Sequence, residues 1–153
     1  MINTGRYTAR IDGEFAVFLI GMRINKPLRV DKWMPVMAAM PRMLKELAIN
    51  PDLGLLHYDM WVGRTVILVQ YWRSLDQLMN YALDRDAHHL PAWQAFNKAA
   101  TDDSVGIWHE TYVSGTGRYE NVYVNMPTFG LGRAVGVIPA EGSLARARDR
   151  ISL

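Results

Sequence analysis

The stretch FAVFLIGMRI, Phe15–Ile24, is apolar at alternate positions on both registers as far as Met22. A β-strand sends successive side chains to opposite faces, so a strand of this kind is covered on both sides. The stretch TVILVQYWR, Thr65–Arg73, has the same character. Two strands that each need two apolar neighbours set the architecture, and the segments around them supply the rest.

After the first strand, Asp31 is placed to cap a helix that runs to about Ile49, with Trp33, Met37, Met40, Leu44 and Leu47 along one stripe. Pro35 falls in its opening turn, whereas Pro41 removes a backbone donor in mid-helix and is expected to bend it toward the core. Asn50-Pro51 and Gly54 end it. Leu55–Val62 (LLHYDMWV) and Thr65–Arg73 flank Gly63-Arg64 and read as an antiparallel hairpin. Leu75 to about Ala100 is helical, divided near Asp86 because Pro91 cannot donate to the ladder. A further strand, Val105–Ser114, and an extended segment, Tyr119–Asn125, follow. Met1–Gly13 is polar and glycine-containing, and the glycine-rich run holding Gly130, Gly132 and Gly136 is expected to wrap the outside.

The order strand, helix, strand, strand, helix, strand is that of an α+β, ferredoxin-like split βαβ domain. Its helices cover one sheet face only. The second apolar face is most simply covered by another copy, giving a homodimer that closes as a dimeric α/β barrel. Residues 1–142 are expected to form this single domain and residues 143–153 a basic C-terminal tail, solvated and dispensable for folding, with Arg146, Arg148 and Arg150 opposed only by Asp149.

Composition narrows the function classes. The 153 residues are 50% apolar, enough for a core without cross-links. There is no cysteine, which excludes disulfides, thiolate metal sites and thiol nucleophiles. A net charge of +2, scattered outside the tail, argues against nucleic acid as a partner. No leader-like or membrane-spanning apolar run is visible near the start, so a cytoplasmic protein without a membrane partner is expected. Phosphate loops, nucleophile elbows and zinc-binding HExxH helices are missing, which removes phosphoryl transfer and zinc hydrolysis. Asp102 and Asp103 read as a solvated turn.

Chemistry therefore falls to the four histidines. His89 shares a helical stripe with Trp93 and Phe96, an aromatic wall suited to a flat cofactor or an aromatic substrate, whereas His88 shares a stripe of alanines. His109 lies in mid-strand with Ile107, Thr111 and Val113 on its face, and Trp108, Glu110 and Tyr112 point the other way. Among apolar neighbours a neutral imidazole can serve as base, hydrogen-bond acceptor or iron ligand; a structural histidine bonded to a carbonyl or carboxylate is the alternative. His57, at period two from Asp59 and Trp61, reads as structural.

HLPAWQAFN (His89–Asn97), VGIWHETY (Val105–Tyr112) and YENVYVNMPTFGLG (Tyr119–Gly132) resemble a bacterial family long known only as a domain of unknown function and grouped with the small monooxygenase of fumagillin biosynthesis. That resemblance implies a fold shared with antibiotic-biosynthesis monooxygenases, haem-degrading enzymes, chlorite dismutases and haem-containing aldoxime dehydratases. By likeness to the dehydratases, His109 takes the place of a distal catalytic histidine and His89 or His88 that of a haem ligand, helix phase favouring His89. The implied protein is a monooxygenase-like oxidoreductase acting on a small organic substrate in an apolar pocket, with haem b a possible cofactor ligated by His89 and walled by Trp93, Phe96, Trp108 and Tyr112. Trp108 and His109 can share one pocket only if a bulge intervenes. The alternatives are an aldoxime dehydratase-like lyase, a cofactor-independent oxygenase in which a histidine deprotonates an electron-rich polyketide or phenol, and a non-catalytic haem or small-molecule binding protein.

Overall fold

The computed structural model describes residues 1–84 and 102–151. Strands β2 (Glu14–Ile24), β3 (Leu55–Trp61), β4 (Thr65–Trp72) and β5 (Val105–Gly115) form one sheet in the order β3-β4-β2-β5. Every pairing in it is antiparallel. With helix α1 (Val30–Ile49) between the first two of these strands and α2 (Leu75–Leu83) after the third, this is the ferredoxin-like arrangement that the order of elements predicts.

The burial of β4 displays the two-sidedness of the sheet directly. Val66, Leu68, Gln70 and Trp72 are buried, and the alternating Thr65, Ile67, Val69 and Tyr71 are only partly covered. The first set faces the helices. Met40, Leu44 and Leu47 of α1 and Leu78 of α2 pack there against Met22, Ala16, Leu68 and Trp72. Each fully buried apolar side chain of this size contributes roughly 1.5–3 kcal/mol, so this layer is the main source of cohesion.

Several local expectations need correction. The N-cap of α1 is Arg29, not Asp31; Asp31 lies in the first turn and accepts from the Arg29 guanidinium at 3.0 Å. An acidic group in that position still complements the helix dipole. The expected span of the helix holds: it is one element from Val30 to Ile49 with Pro35 and Pro41 inside it. Within the polar N-terminus, Asn3–Thr8 forms β1, which pairs with β6 (Tyr123–Met126) and β7 (Ile138–Pro139) in a second, three-stranded sheet. The glycine-rich run does not simply wrap the outside: it contains the short helix α3 (Leu131–Val135), whose Leu131 is 5% exposed and packs with Phe15 and Ala9.

Together these C-terminal elements cover one end of the second sheet face, where Val17 and Tyr71 meet Leu131, Ala134 and Tyr123. The chain closes with α4 (Ala147–Ile151). The Arg150 side chain, 4% exposed, is paired with Glu120 and donates to the carbonyl of Leu144 at 2.7 Å. At least this arginine is packed, not solvated. Among the described residues, no helix is long and apolar enough to cross a membrane.

Candidate active site

Between the helices and the sheet lies a cavity of about 330 Å³. Strand register builds its floor. On the helix-facing side, Leu68, Ile20 and His109 stand in one row across β4, β2 and β5, and Gln70, Phe18 and Thr111 in the next. Met40, Met43, Leu44 and Leu47 roof it from α1, and Leu78, Met79, Tyr81 and Ala82 from α2. The lining is therefore apolar except at four places: His109, Thr111, Gln70 and Tyr81.

His109 stands where the period of its strand places it. Its imidazole lines the cavity and lies 5.8 Å from the Phe18 ring, tilted by 47°. Across β2 and one row along is Gln70, 6% exposed, whose Oε1 accepts from the Trp72 indole Nε1 at 2.9 Å. The lateral separation of the β4 and β5 backbones is two strand spacings, roughly 10 Å. Tyr81 donates to Glu46 at 3.1 Å and lies 5.7 Å from the Trp72 ring, tying α2 to α1 at the cavity roof. Burial, reinforced by the Glu46 carboxylate, pushes the Tyr81 phenol far above its ordinary value, so it is a proton donor and not an anion at neutral pH.

Trp108 and Tyr112 are not cavity walls. The register from Glu14↔Gly115 to Ile24↔Val105 is continuous, so no bulge turns them toward His109. Both face the opposite side of the sheet, where Trp108 lies over Gly21: a Cβ at that glycine would strike the Val66 carbonyl and the indole nitrogen. Tyr112 donates to Glu110 at 2.7 Å on the same side. The other expected cofactor contacts, His88, His89, Trp93 and Phe96, lie outside the described residues.

His57 meets the structural expectation. Its Nε2 is 3.3 Å from Asp59 Oδ1, and Asp59 Oδ2 accepts from the backbone N–H of Gly130 at 3.1 Å. Tyr123 accepts from the N–H of Gly132 at 3.0 Å. Gly130 has φ +54°, and a Cβ there would come within 2.9 Å of the Tyr71 hydroxyl. The cluster fastens the start of α3 to the sheet. Among the described residues, no group of three or more metal-ligating side chains could hold a metal ion.

Gln70 was not anticipated. Its signal is present in TVILVQYW, where one amide interrupts a strand that is otherwise apolar on its helix-facing side from Val66 to Trp72.

The model of the family described as monooxygenase af470-like matches residues 15–131, which carry every described cavity residue. The chain belongs to the monooxygenase af470-like family. It is 28% identical over 152 residues to monooxygenase af470 of Aspergillus fumigatus, a match covering 84% of this chain and 54% of that protein. The chain thus spans about half the length of this af470 relative. Similar solved structures include SnoaB, a cofactor-independent oxygenase from Streptomyces nogalater, at 12% identity and TM-score 0.47, with 65% of this chain and 92% of that one covered. Rv0793 from Mycobacterium tuberculosis matches at 16% identity and TM-score 0.48, covering 63% of this chain and 92% of its own.

Proposed function

We infer that this af470-like chain is a monooxygenase-like oxidoreductase that takes a planar, electron-rich small molecule into the apolar cavity and oxidises it without haem. The observation that carries this reading is the imidazole of His109, without a hydrogen-bond partner among the described residues, on the wall of a cavity whose lining is apolar but for Gln70, Tyr81, Thr111 and His109 itself. A volume of about 330 Å³ is at the small end of ligand pockets, which run from roughly 300 to 1,000 Å³. It suits a molecule of two or three fused rings.

In this reading His109 removes a proton from an activated methylene or phenol and so raises the electron density that reacts with dioxygen. For a methylene the balance closes without another reductant. The carbon loses both hydrogens and four electrons and becomes a carbonyl, one oxygen atom enters the product, and the other leaves as water with the two hydrogens. His109 and Thr111 are exposed where the cavity opens, so it is the bound ligand that covers the imidazole, while the apolar side chains of α1, α2 and β4 surround the rest of the ligand.

Haem b fits the described part of the cavity less well. The space is small for a porphyrin, and His109 is the only imidazole among its described lining residues. The His89-ligated haem reading is therefore the second one, and an absorption spectrum with added haem separates the two. Reaction under ¹⁸O₂ tests the oxygenase reading itself: one label in the product supports it, and label from water instead overturns it.

A homodimer belongs to the same reading. The C-terminal layer leaves Leu19, Ile67, Val69 and Trp108 of the second sheet face only partly covered, beside exposed Trp61 and Tyr112. A second copy placed by a two-fold axis covers the same patch on both chains.

A further inference from the structure

We propose that Trp72 fixes the amide polarity of Gln70, making the cavity selective for ligands that present an acceptor oxygen, a ketone or phenolate, at its β4 wall. The proposal deepens the functional reading above and rests on the cavity being the substrate site.

The argument is one of donor and acceptor inventory. An indole N–H can only donate, so the amide atom that faces it must be the oxygen. Trp72 is completely buried and Gln70 is 6% exposed, so neither can exchange this bond for water without opening the core. With Oε1 committed at 2.9 Å, the Nε2 amino group is left as the part of the side chain free to meet a ligand. It has no partner among the described residues, and Gln70 lines the cavity. A ligand that covers this amino group without accepting from it leaves a donor buried and unpaired, which costs more than a formed bond returns, so occupancy by an acceptor is favoured and by a donor or a purely apolar group disfavoured.

Geometry gives this donor a use in the reaction. Gln70 and Thr111 flank Phe18 in one cross-strand row, and His109 stands one row away on the Thr111 side. A flat ligand over Phe18 can thus place an oxygen at Gln70 while its ring carbon on the far side approaches His109. As the imidazole takes the proton, negative charge moves through the conjugated system to the oxygen, where the amide N–H stabilises it. Trp72 acts through Gln70 and is a positioning residue.

Ligand-observed NMR titration of the full chain with 1-tetralone, tetralin and 1-aminonaphthalene tests the proposal. The wild type is expected to prefer the ketone over the hydrocarbon by about fivefold, one net hydrogen bond. In Trp72→Phe the amide is free to turn, so the ketone preference shrinks and the amine gains affinity. In the double variant Gln70→Met/Trp72→Phe both polar partners are gone, and the ketone and the hydrocarbon bind alike. Thermal melts verify that each variant is folded, and a variant that does not fold is replaced by Trp72→Leu. Retention of the full ketone preference by the double variant overturns the proposal, as does an unchanged amine affinity in Trp72→Phe. Failure of all three ligands to bind the wild type instead overturns the cavity reading on which it rests.

Discussion

Phe18 and His109 are diagonal neighbours on adjacent strands, ring centroids 5.8 Å apart, with the imidazole at the edge of the floor that the phenylalanine provides. Everything in the functional reading depends on this pair. Phe18 gives a flat ligand a surface to stack on, and His109 gives it a base.

Replacing Phe18 with alanine is expected to weaken binding of planar ligands, since an aromatic pair is worth about 0.5–1.5 kcal/mol beyond its buried area. Because Phe18 is only partly buried, the melting temperature should fall less than for Leu68→Ala, whose side chain is 1% exposed. Titration of a fused-ring ligand together with a thermal melt checks both.

The C-terminal arginines offer a test in stability. Arg150 is buried against Glu120 and also donates to the carbonyls of Leu144 and Ala145. Bonds to charged groups contribute roughly 1.5–3 kcal/mol, so Arg150→Ala should cost on the order of 2 kcal/mol in urea unfolding. Truncation after Gly142 should cost at least as much. Arg148, whose side chain is 76% exposed, should be replaceable with little effect. Equal stability of the truncated and full chains would show that the tail contributes nothing.

Alkaline pH probes the cavity roof. Burial first, and the Glu46 carboxylate second, raise the Tyr81 phenol above its ordinary value of 10. As pH rises past that value the unfolded chain releases this proton and the folded chain keeps it, so the unfolded state binds fewer protons and stability falls. The loss begins near pH 10 and continues toward the folded value. Tyr71 and Tyr123, raised mainly by burial, add to the slope. Denaturant unfolding between pH 8 and 11 should show stability falling, and Tyr81→Phe should make the fall shallower.

Assembly is checked by light scattering. A dimer through the second sheet face gives about twice 17.4 kDa. Tyr112 is 56% exposed and Trp61 45%, so Trp61→Lys or Tyr112→Lys should shift the mass toward one chain without unfolding it. A wild-type monomer at micromolar concentration contradicts the barrel assembly.

The sheet and the place of His109 were legible because each follows from a two-residue period that local sequence carries. The apolar stripe of α1 was equally plain, and Met40, Leu44 and Leu47 are its buried residues. What escaped depends on partners far away in the chain. NTGRYT has no apolar face of its own, and it becomes β1 only because Tyr123–Met126 arrives beside it. Arg150 looks like one cation in a basic run until Glu120 is placed against it. Three glycines concealed α3, which exists because Asp59, Tyr123 and the sheet take up its first backbone N–H groups. Gln70 could not be distinguished from a tolerated polar residue until Trp72 was seen to hold it.

The most direct test of the account is the rate of dioxygen consumption by haem-free and metal-free protein on a fused-ring ketone with an activated methylene, for wild type and His109→Ala. The account predicts one dioxygen consumed per ketone oxidised, no Soret band, and a fall of about 10²-fold or more in kcat for the variant. Ligand affinity should be retained. Equal rates for the two proteins, or turnover only after haem is added, would contradict it.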